Sequence, residues 1–394
     1  MLVLLIKHAI GMPDTAVLVG AALVFGATNA VVHRWWVFIV STMALWLFFA
    51  GFELRTVPVS THEGDMLPLI GKACDSLLSG QQPYRTYEVP WSLHLCYPPG
   101  QWLPYVPCRA LSCDVRITNL LCVFAIYASL VAMAAGLGGR ELWPVWRAES
   151  RLHCHAWKLL PIVLFLCAPF TFWAVARTEV PVEWAIAAVF LALLHRGRHV
   201  GAAVCLSLLL VTRPLSVLLL GTVGIFLLVH GARSRRHRAR CLAALMLPGW
   251  AVLLPFAIAG GWAVLSSAMG LGFYAIARDR WVLDHCWARQ IGLAGPFYML
   301  GKPGMLLPIQ LAACAAVWWA RRSHLRGFRG ALGTGVLLYV VFLVTNPVIW
   351  DFYYDCATLL LVAYLITQDS NAAEPANSGL PPTCSAALPG TPPA

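Results

Sequence analysis

Two carboxylates, Glu63 and Asp65, open the polar stretch "HEGDMLPLIGKACDSLLSGQQPYRTY" (62–87), directly after an apolar run that ends near Phe52. Side chains of this type at this spacing can take a proton, hold a cation or cap a helix. Their place just past an apolar run delivers them to a bilayer surface, within reach of a lipid-linked substrate. A second candidate is Arg213, which stands before Pro214 in the middle of "VGAAVCLSLLLVTRPLSVLLLGTVGIFLLVH" (200–230). An arginine at membrane depth costs about 2.5–3.5 kcal/mol even on lenient insertion scales, unless it snorkels or meets an anion. Two readings stand: a snorkelling arginine at a helix end, or an anion contact, most naturally a lipid phosphate, which the guanidinium fork suits.

The elements that must position these groups are legible as periodic patterns. From Asp65 to Leu78 the apolar residues Met66, Leu69, Ile70, Ala73, Leu77 and Leu78 fall on one helical face, and Ser79-Gly80 ends the pattern. An amphipathic helix on the membrane surface is expected there, with Asp65 at its N-terminus, where Asp also serves as a favoured cap. The same loop continues as "GQQPYRTYEVPWSLHLCYPPGQWLPYVP" (80–107), with Tyr84 and Tyr97. Further polar-aromatic stretches are "GFYAIARDRWVLDHCWARQIGLAGPFY" (272–298) and "TNPVIWDFYYD" (345–355), the latter carrying Trp350 and Tyr353. Such rings form belts at membrane interfaces and can equally stack on sugar faces.

Composition sets the class. Of 394 residues, 60% are hydrophobic and 11% charged, outside the range of soluble globular chains. The net charge of +11 sits in short basic clusters between apolar runs, which argues for cytoplasmic loops and against nucleic-acid binding. Spans are read at roughly 14–32, 35–53, 117–137, 159–176, 241–259, 304–320 and 331–346, with shorter runs at 181–195 and 355–368. The segments 200–212 and 214–230 read as two short helices that meet at Arg213-Pro214, giving about eleven transmembrane segments in an all-α polytopic membrane protein. The basic loops 140–158, 195–199, 231–240 and 320–330 share one side, the cytoplasmic one, and most acids share the other. One integral-membrane domain is expected over 1–368, including a long extracytoplasmic loop at 54–116, followed by a disordered cytoplasmic tail at 369–394. Lys7 follows the first apolar residues and no cleavage site is evident, so no removable signal peptide is expected.

In this order, "GDM" (64–66), "LLSGQQPY" (77–84), "YPPGQWLPYVP" (97–107), the intramembrane "TRP" (212–214) and "NPVIWDFYY" (346–354) resemble the C-type glycosyltransferases. Within that superfamily the chain is similar to glycosyltransferase family 87, the polyprenol-phosphate-mannose-dependent mannosyltransferases, over roughly residues 60–365. It departs from that pattern in having Arg rather than Lys before Pro214, and "ARTEVPVE" (176–183) in place of a Gly-Gln-like segment. The resemblance implies a C-type bundle that transfers a hexosyl, typically mannosyl, group from a polyprenyl-phosphate sugar to a lipid or glycan acceptor on the extracytoplasmic side, with inversion. It implies Asp65 as general base, Arg213 as the contact to the departing donor phosphate, and Glu63, Tyr84, Tyr97, Trp350 and Tyr353 as substrate-binding residues. No cofactor is implied; two carboxylates alone are a weak divalent-cation signal.

Other features are read as bystanders. Cys74, Cys96, Cys108 and Cys113 share the first outer loop and could pair in three ways in an oxidising compartment. "HCH" (153–155) lies in a basic loop without zinc spacing. The rival classes are a transporter or flippase of lipid-linked sugars, which would be expected to show internal repeats, and a non-catalytic partner subunit of envelope assembly, which would tolerate loss of Asp65.

Overall fold

The computed structural model describes residues 35–60, 64–89, 92–134, 159–166, 168–213, 234–268, 293–346 and 353–367. The expected span 14–32, the second short helix 214–230, most of the outer segment 272–298, the "HCH" loop, the tail 369–394 and the site candidates Glu63 and Trp350 lie outside the described residues.

The described chain is mostly α-helical, as the apolar runs require once backbone groups must find partners without water. It begins with α1 (Trp35–Thr56) and the amphipathic α2 (Met66–Leu78). A small antiparallel hairpin follows, β1 (Thr86–Glu88) with β2 (Ser92–His94), Tyr87 standing opposite Leu93. Three short turns of helix come next: α3 (Pro99–Trp102), a 3-10 turn (Leu103–Tyr105) and α4 (Val106–Ala110). The bundle continues with α5 (Arg116–Ala134), α6 (Leu159–Leu166), α7 (Pro169–Arg177), α8 (Val180–His195) and α9 (His199–Leu210). It is completed by α10 (Arg235–Ala268), α11 (Ala294–Met299), α12 (Leu306–Arg321), α13 (Phe328–Thr345) and α14 (Tyr353–Ile366).

Among the described residues, four stretches are long and apolar enough to cross a membrane: Arg116–Ala134, Arg235–Trp262, Pro303–Leu325 and Phe328–Thr345. A fifth arises if the bent pair α7–α8 counts as one. The run read as a single span at 159–176 is instead two helices, because Pro169 at the start of α7 cannot continue the hydrogen-bond ladder of α6. At its other end α7 meets α8 at 117°. Arg213 lies in the turn just past α9, its N–H donating to the Leu209 carbonyl, while the second arm of the expected hairpin lies outside the described residues.

Two cores form. Within the bundle, Trp46, Ile126, Phe165, Trp184 and Leu360 are fully enclosed, and Trp46 Nε1 donates to the Leu166 carbonyl at 3.0 Å. Over one end of the bundle the 64–115 loop builds its own core from Leu67, Ile70, Cys74, Leu95, Trp102 and Tyr105. The apolar face of α2 therefore packs on folded chain, which supplies the burial that a membrane surface was expected to supply. Gly80 (φ +74°) closes α2 as expected: its N–H donates to the Leu77 carbonyl while Gln81 N–H donates to that of Ser76. A bidentate ion pair from Arg109 to Asp75 ties α4 to α2.

The two bundle ends differ in charge. Glu53, Asp114, Glu179, Glu183 and Arg213 collect at the end beneath the loop core. At the opposite end His195 meets Phe328 and His199 meets His237, at 5.5 and 5.7 Å between ring centroids, which brings the basic starts and stops of α8, α9, α10 and α13 together.

Candidate functional site

Gly64 brings the catalytic candidate to the bundle. A Cβ on this residue would stand 3.1 Å from the Arg177 carbonyl oxygen, so only a glycine lets the loop approach the α7–α8 junction without displacement. The next residue, Asp65, is half-buried and occupies the N-cap position of α2, yet its side chain makes no capping hydrogen bond. Among the described residues its carboxylate has neither a hydrogen bond nor an ion pair, so the cap does not consume it.

Beneath it, α8 begins with two acids one turn apart. Glu179 and Glu183 are 1% and 2% exposed. Glu179 Oε1 accepts a 2.9 Å hydrogen bond from Gln101 Nε2, while Oε2 is buried without a hydrogen-bond partner. Glu183 Oε2 accepts from Arg213 Nη1 at 2.9 Å. The guanidinium is thus held by a buried carboxylate. A hydrogen bond from Gly100 N–H to the Val211 carbonyl (2.9 Å) docks α3 on the turn that leads to Arg213.

Tyr97 shows that these groups share one electrostatic neighbourhood. Loss of water around its phenol, followed by the charges of Glu179, Cys96 and Asp65, pushes its pKa well above the ordinary value, with Arg213 working in the opposite direction. The same surroundings raise the Cys96 thiol to about 12, desolvation again leading, with Glu179 and Asp65 adding to it. A neutral phenol beside carboxylates is a hydrogen-bond donor.

Comparison with known proteins adds no relative. No family model, no curated protein and no solved structure matches the chain. The site is therefore read from its own residues.

Of the sequence candidates, the structure brings Asp65, Tyr97 and Arg213 to one end of the bundle. Tyr84 is nearby but engaged: its ring packs edge-on against Trp102 and Phe256, its hydroxyl donates to the Tyr97 carbonyl at 3.0 Å, and it accepts from Trp102 Nε1 at 3.3 Å. Its contribution is to hold Tyr97 in place. Tyr353 begins α14, with its side chain outside the described residues. Glu179, Glu183 and Gln101 were not singled out. Two acids at i and i+4 inside the otherwise apolar "EVPVEWAIAA" (179–188) are the available signal, since such a pair shares one helix face and is expensive to bury without a purpose. Among the described residues no group of three or more His, Cys, Asp or Glu is placed to hold a metal ion.

Two consequences are testable here. A Cβ at Gly100 would stand 2.7 Å from both the Val211 carbonyl oxygen and Thr212 Oγ1. Gly100→Ala is therefore expected to displace α3 from the Arg213 turn at a cost of about 1–3 kcal/mol, read as a lower thermal midpoint in detergent. Gly71→Ala, with nothing within 4 Å of its Cβ, serves as the silent control.

The four loop cysteines Cys74, Cys96, Cys108 and Cys113 are free thiols. Cys74 is fully buried, and burial, assisted by Asp75, pushes its thiol up to about 12. Maleimide labelling of the folded protein should reach the partly exposed Cys113 first and leave Cys74 unmodified until denaturation, because the thiolate is the reacting form. Equal labelling of both in the folded state would contradict the packed loop core.

Proposed function

We propose that the chain is an integral-membrane glycosyltransferase of the C-type architecture, with about eleven transmembrane segments. It transfers a hexosyl group, mannosyl foremost, from a polyprenyl phosphate to a hydroxyl of a lipid or glycan acceptor on the extracytoplasmic side, with inversion. In this reading the acidic, loop-covered end faces outward, the basic end and the C-terminal tail face the cytoplasm, and the membrane is that of the cell. The observation that carries the proposal is the uncommitted carboxylate of Asp65, held beside the junction that leads to Glu179 and the buried Arg213–Glu183 pair.

The chemistry follows from those parts. The acceptor oxygen attacks the anomeric carbon as the bond from that carbon to the phosphate oxygen breaks, and the acceptor proton passes to Asp65 as it becomes acidic. Negative charge grows on the departing phosphate, where Arg213, already oriented by Glu183, stabilises it without reorganisation. A phosphate carries that charge well, so the scheme assigns no step to a metal. Tyr97 donates to a hydroxyl of donor or acceptor and sets its orientation.

The test is transfer in membranes that contain the full chain, supplied with labelled polyprenyl-phosphate mannose and an extracted glycolipid pool. Label is expected to move from the polyprenyl carrier to the acceptor fraction in proportion to the amount of chain. Label that changes leaflet but stays on its carrier would favour a flippase. No transfer from mannosyl donors or from a panel of other lipid-linked hexoses and pentoses would end the proposal.

A further inference from the structure

The basic end of the bundle contains guanidinium groups that no described residue satisfies. Arg321 closes α12, and its Nε is buried without a hydrogen-bond partner. Arg196, which follows α8, has the same property. Neither guanidinium forms a hydrogen bond or ion pair among the described residues. Burying a donor on a charged group without a partner is costly, so an orphan of this kind calls for a missing acceptor.

The surroundings define a corner built from three helices. A Cβ added to Gly333 on α13 would stand 3.7 Å from Arg321 Nη2 and 3.1 Å from the ring of Tyr364 on α14. Arg329 of α13 lies over that ring with its Cζ 4.7 Å from the centroid. Arg196 adjoins through His195, whose ring meets Phe328 at the start of α13. Every acid among the described residues belongs to the opposite end of the bundle or to the loop over it. Asp355, the acid that shares α14 with Tyr364, sits nine residues away, about 14 Å along the helix.

We propose that the Arg321–Gly333–Tyr364 corner binds a phosphate group, with Arg321 as its principal ligand, Arg196 and Arg329 adding positive potential, and the Tyr364 hydroxyl available to donate. Planar guanidinium groups match phosphate oxygens in pairs, and basic pockets between helices at a membrane face bind lipid headgroups. The phosphate can belong to an anionic phospholipid or be free in solution. The inference is independent of the sugar-transfer site, which lies at the other end.

The experiment uses the purified full chain in detergent. Its thermal midpoint is followed while phosphatidylglycerol, phosphatidylcholine, or inorganic phosphate against chloride at matched ionic strength is added. A stabilising response to phosphatidylglycerol or to phosphate is expected, with the half-effect dose moving about tenfold higher in Arg321→Gln. Arg322→Gln, an exposed residue stacked on Trp319, should shift it by no more than about twofold. Response to phosphatidylglycerol alone identifies a lipid headgroup; response to inorganic phosphate as well identifies a general phosphate site. If Arg321→Gln does not fold, Gly333→Ala, whose methyl group fills the corner, should give the same shift. No response in the wild type to either ligand, or the same dose dependence in the corner variant and the wild type, overturns the proposal.

Discussion

Asp65→Asn is expected to lower sugar transfer by roughly 10²–10⁴-fold, the usual worth of a positioned general base, with little change in the donor KM or in thermal stability. The substitution keeps the side-chain shape and removes the capacity to take a proton. Its sharpness comes from the N-cap position. Asn and Asp are nearly equivalent caps, and the Asp65 side chain makes no capping bond in any case, so a purely structural Asp65 predicts an unchanged enzyme. A fall in kcat at constant stability therefore separates the two roles. Full activity in Asp65→Asn at matched expression would remove this residue from the mechanism while leaving the fold intact.

Asn119→Leu is expected to give the largest loss of stability, on the order of 3–5 kcal/mol. Asn119 is fully buried near the start of α5 and uses both ends of its amide. Its Nδ2 donates to the carbonyls of Val175 (2.9 Å) and Thr178 (2.8 Å), and its Oδ1 accepts from the Tyr105 hydroxyl at 2.6 Å. These bonds satisfy the last carbonyls of α7 at the bend and anchor the loop core to the bundle. Leucine is similar in size but leaves buried acceptors and a phenol without partners, which costs more than the hydrogen bonds themselves. Tyr105→Phe removes only one of the three and should cost about 1 kcal/mol. Thermal midpoints in detergent order the variants: wild type, then Tyr105→Phe, then Asn119→Leu. Because Glu179 begins the next helix, Asn119→Leu should also lose transfer activity. An Asn119→Leu protein as stable as Tyr105→Phe would show that the bend is held by something else.

Arg116, at the start of α5, ties that helix to the end of α1 and illustrates why such ties are not readable from the sequence. Its guanidinium donates to the carbonyl of Leu54 in the last turn of α1 and to that of Val57 just past it, and pairs with Asp114. In the sequence, Asp114 and Arg116 look like ordinary interfacial charges between two apolar stretches. Their value comes from a partner about 60 residues away, and spacing along the chain carries no trace of it.

Local chemistry was legible from the residues alone wherever the cause is local. Hydropathy sets the helices, the apolar positions from Met66 to Leu78 set the buried face of α2, and Ser79-Gly80 stops it, because each depends on neighbours within one or two turns. The apolar content and the grouping of basic and acidic residues into alternate loops likewise foretell a bundle with two unlike ends. Tertiary structure decided the rest: that the run at 159–176 breaks before a sharp bend, that α2 packs on the loop's own core, that Arg213 is held by Glu183, and that Glu179 and Gln101 join Asp65 and Tyr97 around one place. Each of these depends on groups far apart in sequence, whose energy is realised only when the chain buries them together.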